Sequence, residues 1–279
     1  MGTVWFLLML VAAGGLIGSY TGERKDAVWS KPLSFASILL ALVGAVGFSF
    51  SSSENEELKH RKILAAEHAY TRVSSEKLGR YLAERHKGKD ILIVRPFSFQ
   101  LRKEEQAALM AGLKQGLGDQ LGRMVLHDPT YPPEIEPLIR RYEQTGIAGR
   151  LPPLRTWYNA AYFDQLIEQR ALGIEIVISL IGLPEDVMDM KFWKLEDRPK
   201  LALWGGPIHR LRVPIEAGVV IAAVRRRPNP QLVKGDPPKD LDTAFDQRFL
   251  LITPQNISTI RNTYTGMFVD PIPTAAKNQ

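Results

Sequence analysis

Ile174-Glu175-Ile176-Val177-Ile178-Ser179-Leu180-Ile181 is the strongest β-branched, apolar run outside the N-terminal region of this chain. It is too short to cross a membrane and too continuous for a strand with one wet face. It reads as a strand buried on both sides of a parallel sheet. Working outward, Gly173 ends a helix expected over 157–172, for which Thr156 is the expected cap. Pro184 opens a short helix expected over 185–193. Further short apolar runs at 90–94, 123–126, 200–204, 219–224 and 248–253 read as strands. Between and after them, 103–121, 134–144, 208–216 and 257–264 read as helices, and the proline-rich 228–240 as a loop. Strands alternating with helices imply an α/β fold, a doubly wound and mainly parallel sheet of about six strands with right-handed crossovers.

Two uncharged runs precede this domain, at 3–20 and 33–50. Each approaches the roughly 20 residues a helix needs to cross a hydrocarbon core, and neither has a polar face. A secretory signal peptide would carry a basic stretch before its apolar run, and only the amino terminus is positive before Trp5. The pair therefore reads as a transmembrane hairpin, placing the chain in an inner, cytoplasmic-type membrane with the lipid bilayer as its first partner. Gly14 and Gly18 in the first run, and Ala41, Gly44 and Gly47 in the second, allow close helix packing, within one chain or between two. Arg24, Lys25 and Lys31 crowd the connecting loop, while the residues after Phe50 begin serine-rich and acidic. Positive charge near helix ends resists translocation, so the loop is expected in the cytoplasm and the large domain outside it.

From Glu54 to His86 there is no proline. Leu58, Ala65, Ala69, Val73, Leu78 and Leu82 recur at helical spacing, and Glu57/Arg61 and Glu76/Arg80 are favourable i,i+4 pairs. The expected organisation is a transmembrane hairpin over 1–53, an amphipathic connecting helix over 54–88, the α/β domain over 89–268 and a flexible tail over 269–279. Of 279 residues, 45% are hydrophobic, enough outside the hairpin for one domain with its own core. Cysteine is absent, which excludes disulfides, thiolate metal sites and cysteine nucleophiles. The net charge of +6 is spread without interleaved aromatics, the densest site being Arg225-Arg226-Arg227, so no nucleic-acid partner is expected. His60, His68 and His86 lack ligand spacing, and no metal or cofactor is expected.

The order of these elements, the Ile-Val-Ile-Ser-Leu-Ile-Gly-Leu-Pro-Glu-Asp segment at 176–186 and the closing Phe-Leu-Leu-Ile-Thr-Pro-Gln-Asn-Ile-Ser-Thr-Ile at 249–260 resemble one lobe of type 1 periplasmic solute-binding proteins. The resemblance covers roughly residues 89–264 and carries no ligand-specific signature. It implies a bacterial, extracytoplasmic binding domain, shorter than the family's usual two-lobed body.

Ligands of open α/β sheets bind outside the carboxyl ends of the strands. That edge is expected from 95–98, 127–128, 182–186, 205–209 and 225–227. Gly205 and Gly206 would bring bare backbone N–H groups to an anion, with Arg95 or Arg225 adding charge. Ser98, Asp128 and Asp186 complete the candidate ligand-binding set. No Gly-Lys-Ser/Thr follows the glycines, and no G-x-G-x-x-G or G-x-S-x-G is present, so neither a nucleotide loop nor a hydrolase elbow can be assembled. The set reads as binding rather than catalytic. Tyr131-Pro132-Pro133 and Leu151-Pro152-Pro153 resemble docking loops. The two readings are a membrane-anchored, non-enzymatic protein whose domain holds a ligand or protein partner, and an assembly subunit, with a protein partner or further copies of itself, that has no small-molecule ligand.

Overall fold

A computed structural model of the chain describes residues 2–23, 28, 30–119, 122–145, 153–228 and 235–268, and divides it into two compact units, Met1–Ala65 and Ala66–Gln279. In the first, α1 (Gly2–Glu23) is apolar on every side. Within it Val4–Glu23, with mean hydropathy 1.8, is the one helix among the described residues long and apolar enough to cross a membrane, as an anchor or a signal sequence would be. The second helix, α2 (Ser30–Arg85), starts with a shorter apolar stretch, Lys31–Ala45, and continues unbroken into the second unit. Side chains of 46–57, Gly47 among them, lie outside the described residues, as do Arg24, Lys25 and the tail expected over 269–279.

The two helices meet within one chain. A Cβ on Gly15 would come 2.2 Å from Ser37 Oγ, and one on Gly44 would come 3.0 Å from Met9 Cγ. The Gly14/Gly18 spacing is not the seam: a Cβ on Gly14 would meet nothing within 4 Å.

In the second unit the strands are β1 (Ile91–Val94), β2 (Met124–His127), β3 (Ile176–Ser179), β4 (Lys200–Trp204), β5 (Val220–Arg226) and β6 (Phe249–Ile252). They form one sheet in the order β2-β1-β3-β4-β5-β6. The first five are parallel, and β6 runs antiparallel beside β5. A continuous apolar strand supplies two cores because alternate side chains point to opposite faces. Ile91, Ile93, Ile176 and Ile178 pack on one face against Tyr70, Leu78 and Leu82 of α2, α3 (Lys103–Leu117) and Phe245 of α7 (Leu241–Arg248). Leu92, Val94, Val177 and Leu203 pack on the other, against α4 (Glu136–Thr145), α5 (Ala160–Arg170), α6 (Arg212–Glu216) and α8 (Ile257–Thr263).

Two local expectations are corrected, and one unexpected helix is added. The helix expected over 185–193 is two 3₁₀ turns, Val187–Asp189 and Lys191–Lys194, because Asp164 of α5 accepts hydrogen bonds from the Lys191 and Phe192 N–H groups at 2.8 and 2.9 Å. Asn159, rather than Thr156, caps α5, accepting from the Tyr162 N–H at 3.0 Å. The short α7 follows the proline-rich loop, capped by Asp240, which accepts from the Thr243 N–H and hydroxyl at 2.8 and 2.6 Å. Those bonds hold the Asp240 carboxyl below the usual carboxylate range.

Glycines set the approach of α2 to α3. A Cβ on Gly112 would come 2.2 Å from the Arg72 carbonyl oxygen, and one on Gly116 would come 2.1 Å from that of Glu76. Propensity alone would make Gly112→Ala stabilising by about 1 kcal/mol. The backbone clash opposes it, and overpacking costs about 1–3 kcal/mol. The expected outcome is net loss of stability in thermal melts for Gly112→Ala and a larger loss for Gly112→Val. A gain with alanine would mean that α2 and α3 do not touch here.

Candidate functional site

The chain leaves β1 in one direction to form β2, then crosses to the other side of β1 to form β3. The crevice at such a reversal, outside the carboxyl ends of the strands, is where open α/β sheets bind ligands. Along this edge lie an aromatic cluster on the loop after β1, and a pair of touching loops and a cleft at the ends of β3 and β4.

The aromatic cluster is centred on Phe97, which is 1% exposed. Its ring lies 4.7 Å from Trp157, 5.4 Å from Tyr131, 5.7 Å from Phe99, 5.8 Å from Tyr158 and 6.3 Å from Tyr162, mostly tilted or edge-on. Burial pushes the Tyr158 hydroxyl well above its ordinary range and raises that of Tyr162. Both remain neutral donors: Tyr158 donates to the Gly182 carbonyl at 3.0 Å, Tyr162 to that of Thr130 at 2.7 Å. The buried Trp157 Nε1 has no acceptor.

Ser179, the last residue of β3, also donates to the Gly182 carbonyl, at 2.5 Å. Two buried hydroxyls thus turn the loop after β3 inward, against the loop after β4. A Cβ on Gly182 would come 2.8 Å from the Gly206 Cα, and one on Gly206 would come 3.0 Å from the Gly182 Cα. With φ of 78° and 89°, both positions also need glycine for conformation.

Beside this crossing lies a half-open cleft of about 430 Å³. Leu154, Tyr158, Ile181 and Leu183 form its apolar side. Arg155, Glu185, His209 and Arg210 stand around it, with the Gly206 backbone and Pro207 between them. Burial lowers the His209 pKa, and Arg210 and Arg225 lower it further, so its imidazole is neutral at pH 7.

The residues singled out from the sequence are spread along this edge. Gly206 lines the cleft and Gly205 adjoins it with φ 81°. Arg95 forms an ion pair with Asp128, while its buried Nε lacks an acceptor. Ser98 donates to Glu143 at 2.6 Å and shares a 2.8 Å bond with the Tyr131 hydroxyl, pinning α4 to the loop after β1. Asp186 accepts from the Ala160 N–H at 2.9 Å at the start of α5. Arg225 donates to the Met267 carbonyl at 3.3 Å. His127, half-buried near Arg170, has its pKa lowered chiefly by desolvation, and the adjacent Asp128 serves Arg95. Among the described residues, no three His, Asp or Glu side chains converge as metal ligands.

Sequence reasoning did not reach Arg155, Tyr158 or Arg210. The Pro153-Leu154-Arg155 turn lies far in sequence from β3 and β4. The available signal was the pair Trp157-Tyr158 directly after a proline-rich stretch, since two adjacent aromatics there must be buried by something.

No family model and no curated protein matches the chain. Solved structures do. The sugar-binding protein of a sugar ABC transporter from Bacillus halodurans matches with TM-score 0.40 and 11% identity, over 68% of this chain and 64% of that one. A periplasmic solute-binding protein from Actinobacillus succinogenes 130z with bound D-allose matches with TM-score 0.40 and 7% identity, over 68% and 62%. A carbohydrate transporter from Acidothermus cellulolyticus 11B in complex with myo-inositol matches with TM-score 0.39 and 13% identity, over 69% and 60%. The likeness is diffuse and one of fold. This chain spans less than two thirds of each of these structures.

Proposed function

We propose that this is a membrane-anchored, non-enzymatic protein whose α/β domain binds a small polar solute outside the cytoplasm, in the cleft between the loops that follow β3 and β4. The observation that carries this reading is the cleft itself. It lies at the carboxyl ends of β3 and β4, one strand along from the β1/β3 reversal, has apolar walls and a few polar groups, and has the volume of an ordinary small-molecule site. Ser98 and Ser179, the nearby hydroxyls, are bonded to Glu143 and to the Gly182 carbonyl, and neither lines the cleft.

The test is a thermal-shift screen of the full-length protein in detergent against neutral sugars, sugar acids, sugar phosphates and amino acids. A ligand present at 100 times its Kd stabilises by about 2.7 kcal/mol. That is expected to raise the Tm by about 5–10 °C. Unchanged melts across every class would overturn solute binding. The edge strand β2 favours the assembly-subunit reading that would then replace it, because Met124 and Leu126 are 38% and 45% exposed there.

Support for the anchor comes from α1, and for the orientation from the loop charges Arg24, Lys25 and Lys31. Protease added to intact spheroplasts is expected to cut the chain beyond Phe50 while the loop stays protected. Neutralising the three charges is expected to weaken that preference. Cleavage of the large domain only after lysis would place it in the cytoplasm.

A further inference from the structure

Resting on the cleft as the binding site, we infer that its ligand is a small organic anion, a carboxylate or phosphate ester on a compact carbon skeleton. The argument is one of donors and acceptors. Arg155 and Arg210 stand on the rim, and an arginine side chain can only donate. Elsewhere in this unit some arginines donate to backbone carbonyls, as Arg198 and Arg225 do, while others are matched with carboxylates: Arg95 with Asp128, Arg140 with Glu136, Arg227 with Asp246, and Arg226 with Glu67. The two at the cleft are not. Arg155 makes no ion pair or hydrogen bond among the described residues. Arg210 gives one N–H, at 2.9 Å, to the backbone carbonyl of Glu185 and leaves that residue's carboxylate alone.

Acceptors are correspondingly scarce. The Tyr158 hydroxyl is spent on the Gly182 carbonyl, which also receives Ser179. The Pro207 carbonyl accepts from the Arg210 N–H at 3.1 Å, and the apolar walls offer nothing polar. A neutral polyol needs both kinds of partner for each hydroxyl and would find one carboxylate, Glu185, and a neutral imidazole. An anionic oxygen pair instead matches a guanidinium fork bidentately, and its carbon skeleton covers Leu154, Ile181 and Leu183. Arg225 lies close enough to His209 to depress its pKa, so the local field has the same sign.

Calorimetric titration of the full-length protein in detergent with glucose, glucuronate, glucose 6-phosphate and inorganic phosphate separates the possibilities. At least one of glucuronate and glucose 6-phosphate is expected to bind tenfold or more tightly than glucose. Which of the two wins identifies the anion. Inorganic phosphate, lacking the skeleton, is expected to bind at least tenfold more weakly than the winner. Arg155→Gln is expected to cost about tenfold for the anion, as loss of one charged bidentate contact, with no change in unliganded Tm. Raising NaCl from about 50 to 500 mM should weaken the anion and leave glucose unchanged, because screening shortens to a few ångströms. Glucose binding as tightly as its charged forms, or an Arg155→Gln variant that binds the anion normally, overturns the inference and leaves the solute site standing. Failure of both charged sugars to bind also overturns it, and the broader thermal screen then decides the site itself.

Discussion

Replacing Phe97 with alanine is expected to lower stability by about 3–5 kcal/mol, the usual cost of deleting a buried phenylalanine ring. In a thermal melt that corresponds to roughly 6–20 °C. The ring is 1% exposed and touches five other aromatic rings. Two features push the cost toward the upper end. The surrounding rings are large and held by their own hydroxyl bonds, Tyr158 to Gly182 and Tyr162 to Thr130, so they cannot swing in to fill the space. The backbone at Phe97 is also pinned, its N–H to Gln100 at 2.9 Å and its carbonyl by Gln106 at 3.2 Å, so the loop cannot collapse either. Phe97→Leu retains most of the volume and is expected to lose about 1–1.5 kcal/mol. The near-ultraviolet circular dichroism of Trp157 and Tyr158 should fall in the alanine variant while far-ultraviolet helix and strand signals persist. A loss below about 1 kcal/mol would mean that the cluster does not form.

The same ring marks the boundary of what the sequence made legible. Strands were readable where burial on both faces left an uninterrupted apolar run. Lys200–Trp204 appears as expected, and β3 occupies the middle of the run quoted first. What could not be read was decided by residues distant along the chain. Asp164 converts an expected helix at 185–193 into 3₁₀ turns by capturing two N–H groups. The connection into β6 starts and ends at one sheet edge, with the Arg227 N–H bonded to the Arg248 carbonyl at 2.8 Å, so β6 returns antiparallel. No local pattern in 241–248 announces that. The Asp240/Thr243 cap was a readable start signal hidden behind the prolines.

At the site, glycine was the legible residue and arginine was not. Gly205 and Gly206 stood out because a glycine pair after a strand lets bare backbone approach a ligand, and both take a positive φ, 81° and 89°. The structural reason for Gly206, close approach to Gly182, is a contact across 24 residues of chain. Arg95 and Arg225 looked as available as Arg155 and Arg210, being of one type along one edge. Only the structure distinguishes them: it gives Arg95 a carboxylate in Asp128, gives Arg225 and Arg210 one backbone carbonyl each, of Met267 and Glu185, and leaves Arg155 without an acceptor among the described residues.

Ile178→Ala is expected to cost about 4–5 kcal/mol, near the top of the 2–5 kcal/mol range for such truncations. Ile178 is fully buried at the centre of the sheet, in register with Ile93 of β1 on one side and Ala202 of β4 on the other. Its face is shared with Ala202 and Ala222, which are already small, while Leu78 and Leu82 of α2 and Leu109 and Leu113 of α3 belong to the same core. Those helices cannot close on a void, because Gly112 and Gly116 already bring α3 into contact with the α2 backbone. The cavity should therefore persist, and persistence of the cavity is what separates expensive truncations from cheap ones. Ile178→Val, which removes one methylene and keeps the β-branch, is expected to cost about 0.5–1.5 kcal/mol. Leu172→Ala serves as the control: at 90% exposure it should change stability by no more than about 0.5 kcal/mol. Thermal melts of the three variants in one detergent would rank them. An Ile178→Ala variant as stable as Leu172→Ala would place β3 at the periphery and overturn both the strand order and the cleft built on it.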